Sequence, residues 1–361
     1  MMKYDVAVVG AGPVGSIAAQ RASKGRDVVI FGGERVVQCS GVLSTTGLQE
    51  LNINTGDYVL NKVRGAKIIS PSGVQAVIDG GGDKACVVDR LKFDDHLLDR
   101  AVDSGATYIP AVVDEIKDVL KTSDGREFAA DKIIMATGTN YTLQKKLCLD
   151  CPDDFLIGAQ YEMNVECDKD FVELHLTVPD FFAWVIPLDG YARVGLCAKQ
   201  NPKKHLDNFV ARLKNAGRIK SDKKLSEIYG IIPLYKPSIR TQYDRIVTVG
   251  DAAGHVKAST GGGIIFGGLA AELACSPTYE RDWRGRIGAE LSMHLMFHNL
   301  LKKLKPKNLD RLVRLVGSNH SGLVDGGDMD YAIKTFKNLS LNPKFALEFI
   351  INAPFMLPDL I

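Results

Sequence analysis

The chain runs to 361 residues, 45% hydrophobic and 24% charged, which points to a globular protein of two domains with room for an internal pocket. Its 45 basic and 43 acidic residues leave a net charge of +2, which excludes the strongly basic balance of a nucleic-acid binder. Thirty-five glycines against 14 prolines say that the backbone often turns tightly or approaches something closely, and these glycines are clustered.

The first apolar run, VAVVGAG, is short, follows Asp5 and reads as a strand rather than a signal-peptide core. The run GIIFGGLAAELAC from Gly263 is too short for a membrane span and contains Glu272. Seven cysteines without a secretory signal point to a reducing cytoplasm. Cys148 and Cys151 form a single C-x-x-C with no second pair at zinc spacing, so no metal is expected.

In chain order, YDVAVVGAGPVGSIAAQRASKGRDVVIF reads as strand, glycine turn, helix, strand. Gly10, Gly12 and Gly15 fill G-x-G-x-x-G directly after the first strand, with Pro13 at the helix start. The tight turn, the approach to a diphosphate and the helix packing each require no side chain. The helix N-terminus offers free N–H groups and a positive dipole end to that diphosphate. An acidic residue normally ends the second strand to hold the adenosine ribose, but Gly32 stands there, leaving Glu34 and Arg35 as the adenosine-end candidates.

The loop VVQCSGVLST follows, with Cys39 ahead of Ser40 and Gly41. Its thiol is open to several readings: half of a disulfide, a metal ligand, a reactive group beside a cofactor, or a small buried hydrophobe. KVRGAKIISPSGVQAVI alternates like strands around a turn at Pro71 to Gly73, and Phe93, Leu97, Ala101 and Val102 recur at helical spacing up to Gly105. Lys132 to Thr139 is a further buried strand ending at Gly138. From Phe155 to Pro233 the segments LIGAQYEMNV, FVELHLTV, FFAWVIPL and YARVGLCA alternate like an inserted antiparallel sheet, followed by a helix near Pro202 to Ala216.

The chain then returns through VTVGDAAGHVKASTGGGI, a buried strand running into Gly250 and Asp251 before a triple-glycine turn. Asp251 can accept from a polyol hydroxyl, and Gly261, Gly262 and Gly263 let the backbone pass close to a flat ring. The helix from Ile264 would aim its positive end at that ring, which suits a reduced, anionic flavin. The remainder from Trp283 is mostly helical in pattern. Lys302, Lys303, Lys305 and Lys307 in LKKLKPK fit either an anionic membrane surface or a solvated helix end.

On these marks, together with DRLKFDDHLL and PDFFAWVIP, the chain resembles the FAD-dependent geranylgeranyl reductase family of the glutathione-reductase-type FAD fold, over nearly its whole length to about Ala274. The resemblance implies an α/β protein with an α+β second domain: an FAD-binding Rossmann fold, an inserted antiparallel-sheet substrate domain and a C-terminal helical region. The expected division is 1–60, 85–150 and 238–282 for FAD, 61–84 and 151–237 for substrate, and 283–361 for the helical region. The family pattern P-x-x-Y-x-W-x-F-P falls on Pro179, Phe182, Trp184, Ile186 and Pro187, with Phe182 in place of tyrosine and Ile186 in place of phenylalanine. Both stay apolar, which keeps an isoprenoid-lining role and removes any role for the tyrosine hydroxyl.

The resemblance further implies that Arg90 approaches the polyol and phosphate region of FAD. In that setting the Cys39 thiol either supplies the proton, directly or through a water it positions, or only shapes the face of the flavin where Gly41 lets the backbone come close. The implied activity is saturation of geranylgeranyl double bonds in archaeal membrane lipids, with a ferredoxin, a deazaflavin or NAD(P)H as electron donor and peripheral contact at the inner membrane face. No second G-x-G-x-x-G follows a strand, so no dedicated nicotinamide domain is expected. The competing readings are a flavin monooxygenase or halogenase, and a non-catalytic isoprenoid-binding electron relay.

Overall fold

The computed structural model describes residues 2–34, 36–319 and 328–360, so Arg35 lies outside the described residues. The chain divides into two units, each discontinuous in sequence. The first comprises Met1–Val37, Arg90–Phe155 and Ile232–Ser292, and the second Gln38–Asp89, Leu156–Ile231 and Met293–Ile361.

The first unit is built on an eight-stranded sheet. Its main path runs Gln242–Tyr243, Ile246–Thr248, Glu127–Met135, Met2–Val9, Val28–Phe31, Thr107–Ile109. Met2–Val9 lies at its centre, parallel to both neighbours, with Val9 beside Met135 on one side and Phe31 on the other. Buried on both faces, these strands read as continuous apolar runs rather than alternating ones. One face buries Ala7, Val9, Val29, Phe31, Phe128, Ile133 and Met135, each large side chain worth roughly 1.5–3 kcal/mol of transfer free energy. The helix Pro13–Ala22 buries Gly15, Ile17, Ala18, Ala19 and Ala22 and packs on helices Arg90–Asp103 and Ile264–Ala271. The latter helix is apolar all round because it is enclosed: a Cβ on Gly267 would lie 2.8 Å from Val14 and 2.9 Å from the Gly250 Cα.

The second unit is built on a seven-stranded sheet in the order Lys224–Pro233, Phe155–Met163, Ala192–Ala198, Phe181–Pro187, Phe171–Val178, Gly65–Ile69, Gln75–Asp79. One face carries Ala159, Tyr161, Ala183, Val185, Val194 and Leu196 under the helix Pro202–Asn215, which contributes Leu206, Phe209 and Leu213. A three-stranded sheet pairs Val42–Ser44 and Val59–Val63 with Ala85–Val88. Helices Pro306–Ser318, Ala332–Ser340 and Pro343–Leu360 share a small core of Leu315, Leu339 and Phe345.

These units differ from the expected division at several places: residues 85–89 fall in the second unit, 151–155 and 232–237 in the first, and the helices from 293 onward group with the second. Residues 38–60 group with the second unit because both outer strands of the three-stranded sheet hydrogen-bond to Ala85–Val88. Residues 283–292 group with the first because Trp283, buried at its start, donates Nε1–H to Thr241 Oγ1 at 2.8 Å, while Arg284 donates to the carbonyls of Pro237 and Ile239.

Candidate functional site

In the first unit the fingerprint glycines divide into two kinds. Gly10 adopts φ +113°, where a Cβ would sit 2.2 Å from the Ala136 carbonyl oxygen, and a Cβ on Gly15 would sit 1.8 Å from the Gly10 oxygen. Strand-to-strand and strand-to-helix approach alone demand those two residues. Gly12 is different: nothing lies within 4 Å of its Cβ position. It is the N-cap of the helix that Pro13 opens, and no side chain caps that helix, which leaves its first-turn N–H groups without a side-chain acceptor among the described residues.

The second half of the cradle centres on Asp251, in the short 3-10 turn Gly250–Ala253. A Cβ on Gly263 would lie 2.6 Å from Asp251 Oδ1, so the glycine turn runs directly against the carboxylate. Burial raises the Asp251 carboxyl to about 6, with Arg90 pulling the other way. The Tyr141 hydroxyl donates to the Asp251 carbonyl oxygen at 3.2 Å, and burial with the nearby Asp251 charge pushes that phenol far above its usual range. Gly263 caps the helix that begins at Ile264, again without a side-chain cap. Lys257, 3% exposed, lies beside Gly262, whose Cβ would stand 3.1 Å from the lysine Cε. Gly250 backs onto Val14, while Gly138 borders open space.

Arg90 opens the helix Arg90–Asp103, and its guanidinium grips Asp94 through two bonds of 3.0 and 3.1 Å. The departure at the second strand has a steric cause: a Cβ on Gly32 would meet the Ala11 Cβ at 2.5 Å, so no acidic side chain can project there. Glu34, two residues on, is exposed. The open Gly12, two uncapped helix N-termini and the half-buried Asp251 carboxylate, with no side-chain hydrogen bond among the described residues, fit a dinucleotide carrying a polyol and a flat ring.

In the second unit the relevant surface is the sheet face turned away from helix Pro202–Asn215. Cross-strand register places Trp184, Gly195 and Gln160 in one row and Ile186, Arg193 and Glu162 in the next. Trp184 lies flat over Gly195, where a Cβ would fall 2.5 Å from the indole, and donates Nε1–H to Gln160 Oε1 at 3.0 Å. Phe182 meets Trp184 edge-on at 6.2 Å and stacks on Phe181 at 4.2 Å. Pro187 ends the strand, buried. Gly158 and Cys197 continue this face as small residues, a Cβ on Gly158 lying 3.5 Å from the Cys197 thiol.

The Cys39 loop is fixed over this same face. Gln38 crosses Gly230, whose Cβ would stand 2.9 Å from the Gln38 oxygen. Arg193 donates Nη1–H to the carbonyls of Ser40 at 2.8 Å and Val88 at 3.1 Å, while its Nε–H pairs with Glu162 at 2.9 Å. Gly41, at φ +73°, slots between Arg193 and the Val88 oxygen, each 2.7 Å from its Cβ position, and its N–H donates to the Cys39 thiol at 3.4 Å. All seven cysteines are free thiols.

Sequence reasoning missed Arg193, Gln160, Lys257 and His255. The available signal was a charged or polar residue inside an otherwise apolar buried run, as Arg193 is in YARVGLCA. His255 is fully buried, both ring nitrogens lack a hydrogen-bond partner among the described residues, and its ring lies 4.4 Å from that of Trp283.

No family model matches the chain. It is 30% identical to an uncharacterized protein of Methanocaldococcus jannaschii over 95% of this chain and 97% of that one. It is 29% identical to digeranylgeranylglycerophospholipid reductase 2 of Methanothermobacter thermautotrophicus, over 87% and 91% respectively. Among solved structures it is similar to a geranylgeranyl bacteriochlorophyll reductase-like protein of Thermoplasma acidophilum, with TM-score 0.81, 24% identity and coverage of 98% and 100%. A halogenase solved in complex with FAD has TM-score 0.66 at 14% identity, covering 98% of this chain and 90% of that one, a likeness of fold alone.

Proposed function

We propose that the chain is a member of the FAD-dependent geranylgeranyl reductase family, in keeping with its similarity to archaeal digeranylgeranylglycerophospholipid reductases, and that it saturates the carbon–carbon double bonds of geranylgeranyl chains on archaeal glycerophospholipids. The observation that carries this reading is the second unit's aromatic sheet face, floored by Gly158, Gly195 and Cys197 and crossed by the fixed Cys39 loop. An unactivated trisubstituted alkene needs an environment that holds a long apolar chain, excludes water and tolerates positive charge building on the methyl-bearing carbon. Phe182 and Trp184 supply apolar area and ring faces for that charge.

Bound FAD, once reduced, supplies hydride for one carbon of the double bond. The proton for the other carbon comes from this chain, with the Cys39 thiol as donor or as the group that orients a water. Gly12 and the uncapped turn after it would hold the diphosphate, Asp251 a polyol hydroxyl, and Gly261 to Gly263 the edge of the ring. Lys257, beside Gly262, would set a cation near a ring held against that turn, where it would favour the anionic reduced form. Electrons arrive from a separate donor, a ferredoxin, a deazaflavin or NAD(P)H. The protein works in the cytoplasm, at the inner face of the membrane that holds its substrate.

The test is anaerobic. The flavin is reduced photochemically, digeranylgeranyl glycerophospholipid is added, and the lipid is weighed by mass spectrometry. The expected result is a gain of two hydrogens per double bond in the wild type, with Cys39→Ser slowed by at least about tenfold. Unchanged lipid would favour an electron relay, and an oxygenated or halogenated product in air would favour a monooxygenase or halogenase. Full turnover in Cys39→Ser removes the thiol from the proton path.

A further inference from the structure

The C-terminal helix Pro343–Leu360 is inverted relative to an ordinary surface helix. Its inward side is narrow, with Phe345 and Met356 buried, each only 7% exposed. Its outward side carries Leu347, Ile350, Ile351, Phe355 and Leu357, which are 52–67% exposed, with Pro354 and Pro358 exposed between them. At 100° per residue these positions form one continuous arc, and at its centre no charged side chain interrupts it. A soluble monomer rarely leaves so much contiguous apolar surface in water without a use for it.

The rim of this arc is cationic. At the C-terminal end, Lys303 donates to the Leu360 carbonyl at 2.7 Å and Lys305 pairs with Asp359 at 3.1 Å. Asn308 donates to the Phe355 carbonyl at 2.8 Å and to Asp359 at 2.6 Å. These bonds fasten the LKKLKPK segment to the end of the apolar helix, with the Arg311 guanidinium 4.3 Å above the Phe355 ring. Lys302 and Lys307 stay exposed and pair with no acid among the described residues. At the other end, Lys344 donates to the Ser318 carbonyl at 2.8 Å, and Lys337 is exposed.

We propose that the helix Pro343–Leu360 and the lysines at its ends seat this protein on an anionic bilayer surface, with the apolar arc among the acyl chains and the lysines at the headgroups. No helix among the described residues is long and apolar enough to cross a membrane, so the contact lies in the interface plane. Charge decides against a second copy of the chain as the occupant: two copies meeting through this face would bring cations at both helix ends together, whereas anionic headgroups neutralise them. This inference rests on the exposed side chains and the charges, and holds whether or not the reductase reading does.

The experiment uses the full-length, flavin-loaded protein and sedimentation with vesicles of three parts phosphatidylcholine to one part phosphatidylglycerol. The wild type is expected to pellet with these vesicles and much less with phosphatidylcholine alone. Ile350→Glu with Leu357→Glu should weaken binding by at least about tenfold, because charges enter the acyl region. Lys302→Ser with Lys307→Ser should weaken it about fivefold or more and flatten its salt dependence. Both sets alter exposed residues, so retained flavin absorbance and an unchanged melting temperature report intact folding. Wild type left in the supernatant, or the two glutamates leaving binding unchanged, overturns the proposal. So does a dimer in light scattering that the glutamates dissolve, which would make a second copy the occupant.

Discussion

The Arg193 guanidinium holds the Ser40 carbonyl at 2.8 Å across 153 residues of chain. It also keeps Glu162 at 2.9 Å on the neighbouring strand. One largely buried cation therefore joins the reading face of the second sheet to the loop that carries Cys39.

Arg193→Ala should cost stability and turnover but spare the flavin. Removing one member of a mostly buried ion pair leaves Glu162 desolvated, with Ser226 Oγ–H as its remaining donor at 3.0 Å, a loss of about 3 kcal/mol in urea unfolding. Freeing the Cys39 loop should slow lipid reduction roughly 10–100-fold, since displacement of reacting groups by an ångström costs that much. Flavin affinity, measured by fluorescence titration, should stay within about twofold. Arg193→Lys should recover part of the stability and little of the rate, because one ammonium cannot reproduce the fork. Unchanged turnover in Arg193→Ala would sink the positioning role.

The fingerprint offers a separation of folding from binding. Gly15→Ala would push a methyl to 1.8 Å from the Gly10 oxygen, a contact no rotamer relieves, so the variant should express poorly or melt far below the wild type. Gly12→Ala meets nothing within 4 Å, so its apoprotein should melt within a few degrees of the wild type. The added methyl instead occupies the space of the diphosphate, and flavin affinity should fall at least about tenfold, or about 1.4 kcal/mol. Equal flavin affinity in Gly12→Ala would place the diphosphate elsewhere.

That contrast also explains what could be read in advance. Gly10 and Gly15 were legible because a positive φ at Gly10 and the contact of Gly15 with the Gly10 carbonyl five residues earlier are local, and local geometry leaves a spaced motif in sequence. Arg193 left only a charge in an apolar strand, since its partners follow from register with Glu162 and from a loop 153 residues distant. Gly32 was legible as a departure, but its cause, the Ala11 methyl, is a packing contact between the second strand and the fingerprint turn. The grouping of residues 38–60 is not legible in sequence because short strands such as Val42–Ser44 acquire their partner only in three dimensions. The helix Pro343–Leu360 passed unmarked: it holds two prolines and apolar residues on both its sides, so periodicity gave it no face.

Asp251 should make the apoprotein more stable as pH falls through the mildly acidic range. Its folded pKa, about 6, lies above the ordinary carboxylate value of 3.8. The contribution is thus fully present below about 3.8 and is lost as pH rises through 6, a swing on the order of 2–3 kcal/mol. Asp251→Asn should remove that swing in urea titrations across pH, stabilise the apoprotein at neutral pH, and weaken flavin binding about tenfold or more by losing a charge-assisted acceptor for the polyol. If the pH profiles of wild type and variant superimpose, the Asp251 carboxylate is not the titrating group.

His255 should act with the opposite sign. Burial, followed by the Arg284 charge, lowers its pKa to about 3 from 6.5, so the folded protein keeps it neutral while the unfolded chain protonates. Its contribution is complete above about 6.5 and is lost as pH falls toward 3. At about pH 4.5 the cost amounts to roughly 2–3 kcal/mol. His255→Leu removes both unpartnered ring nitrogens as well as the proton uptake. The variant should match or exceed the wild type at neutral pH and gain on it progressively below pH ~6. Urea unfolding at about pH 7 and pH 4.5 distinguishes the cases, since an equal offset at both pH values would mean that the introduced side chain merely repacks against Trp283 and that acid sensitivity arises elsewhere. Asp251→Asn in the same background isolates the two opposing slopes, because the residues titrate over adjoining ranges within one unit of the fold.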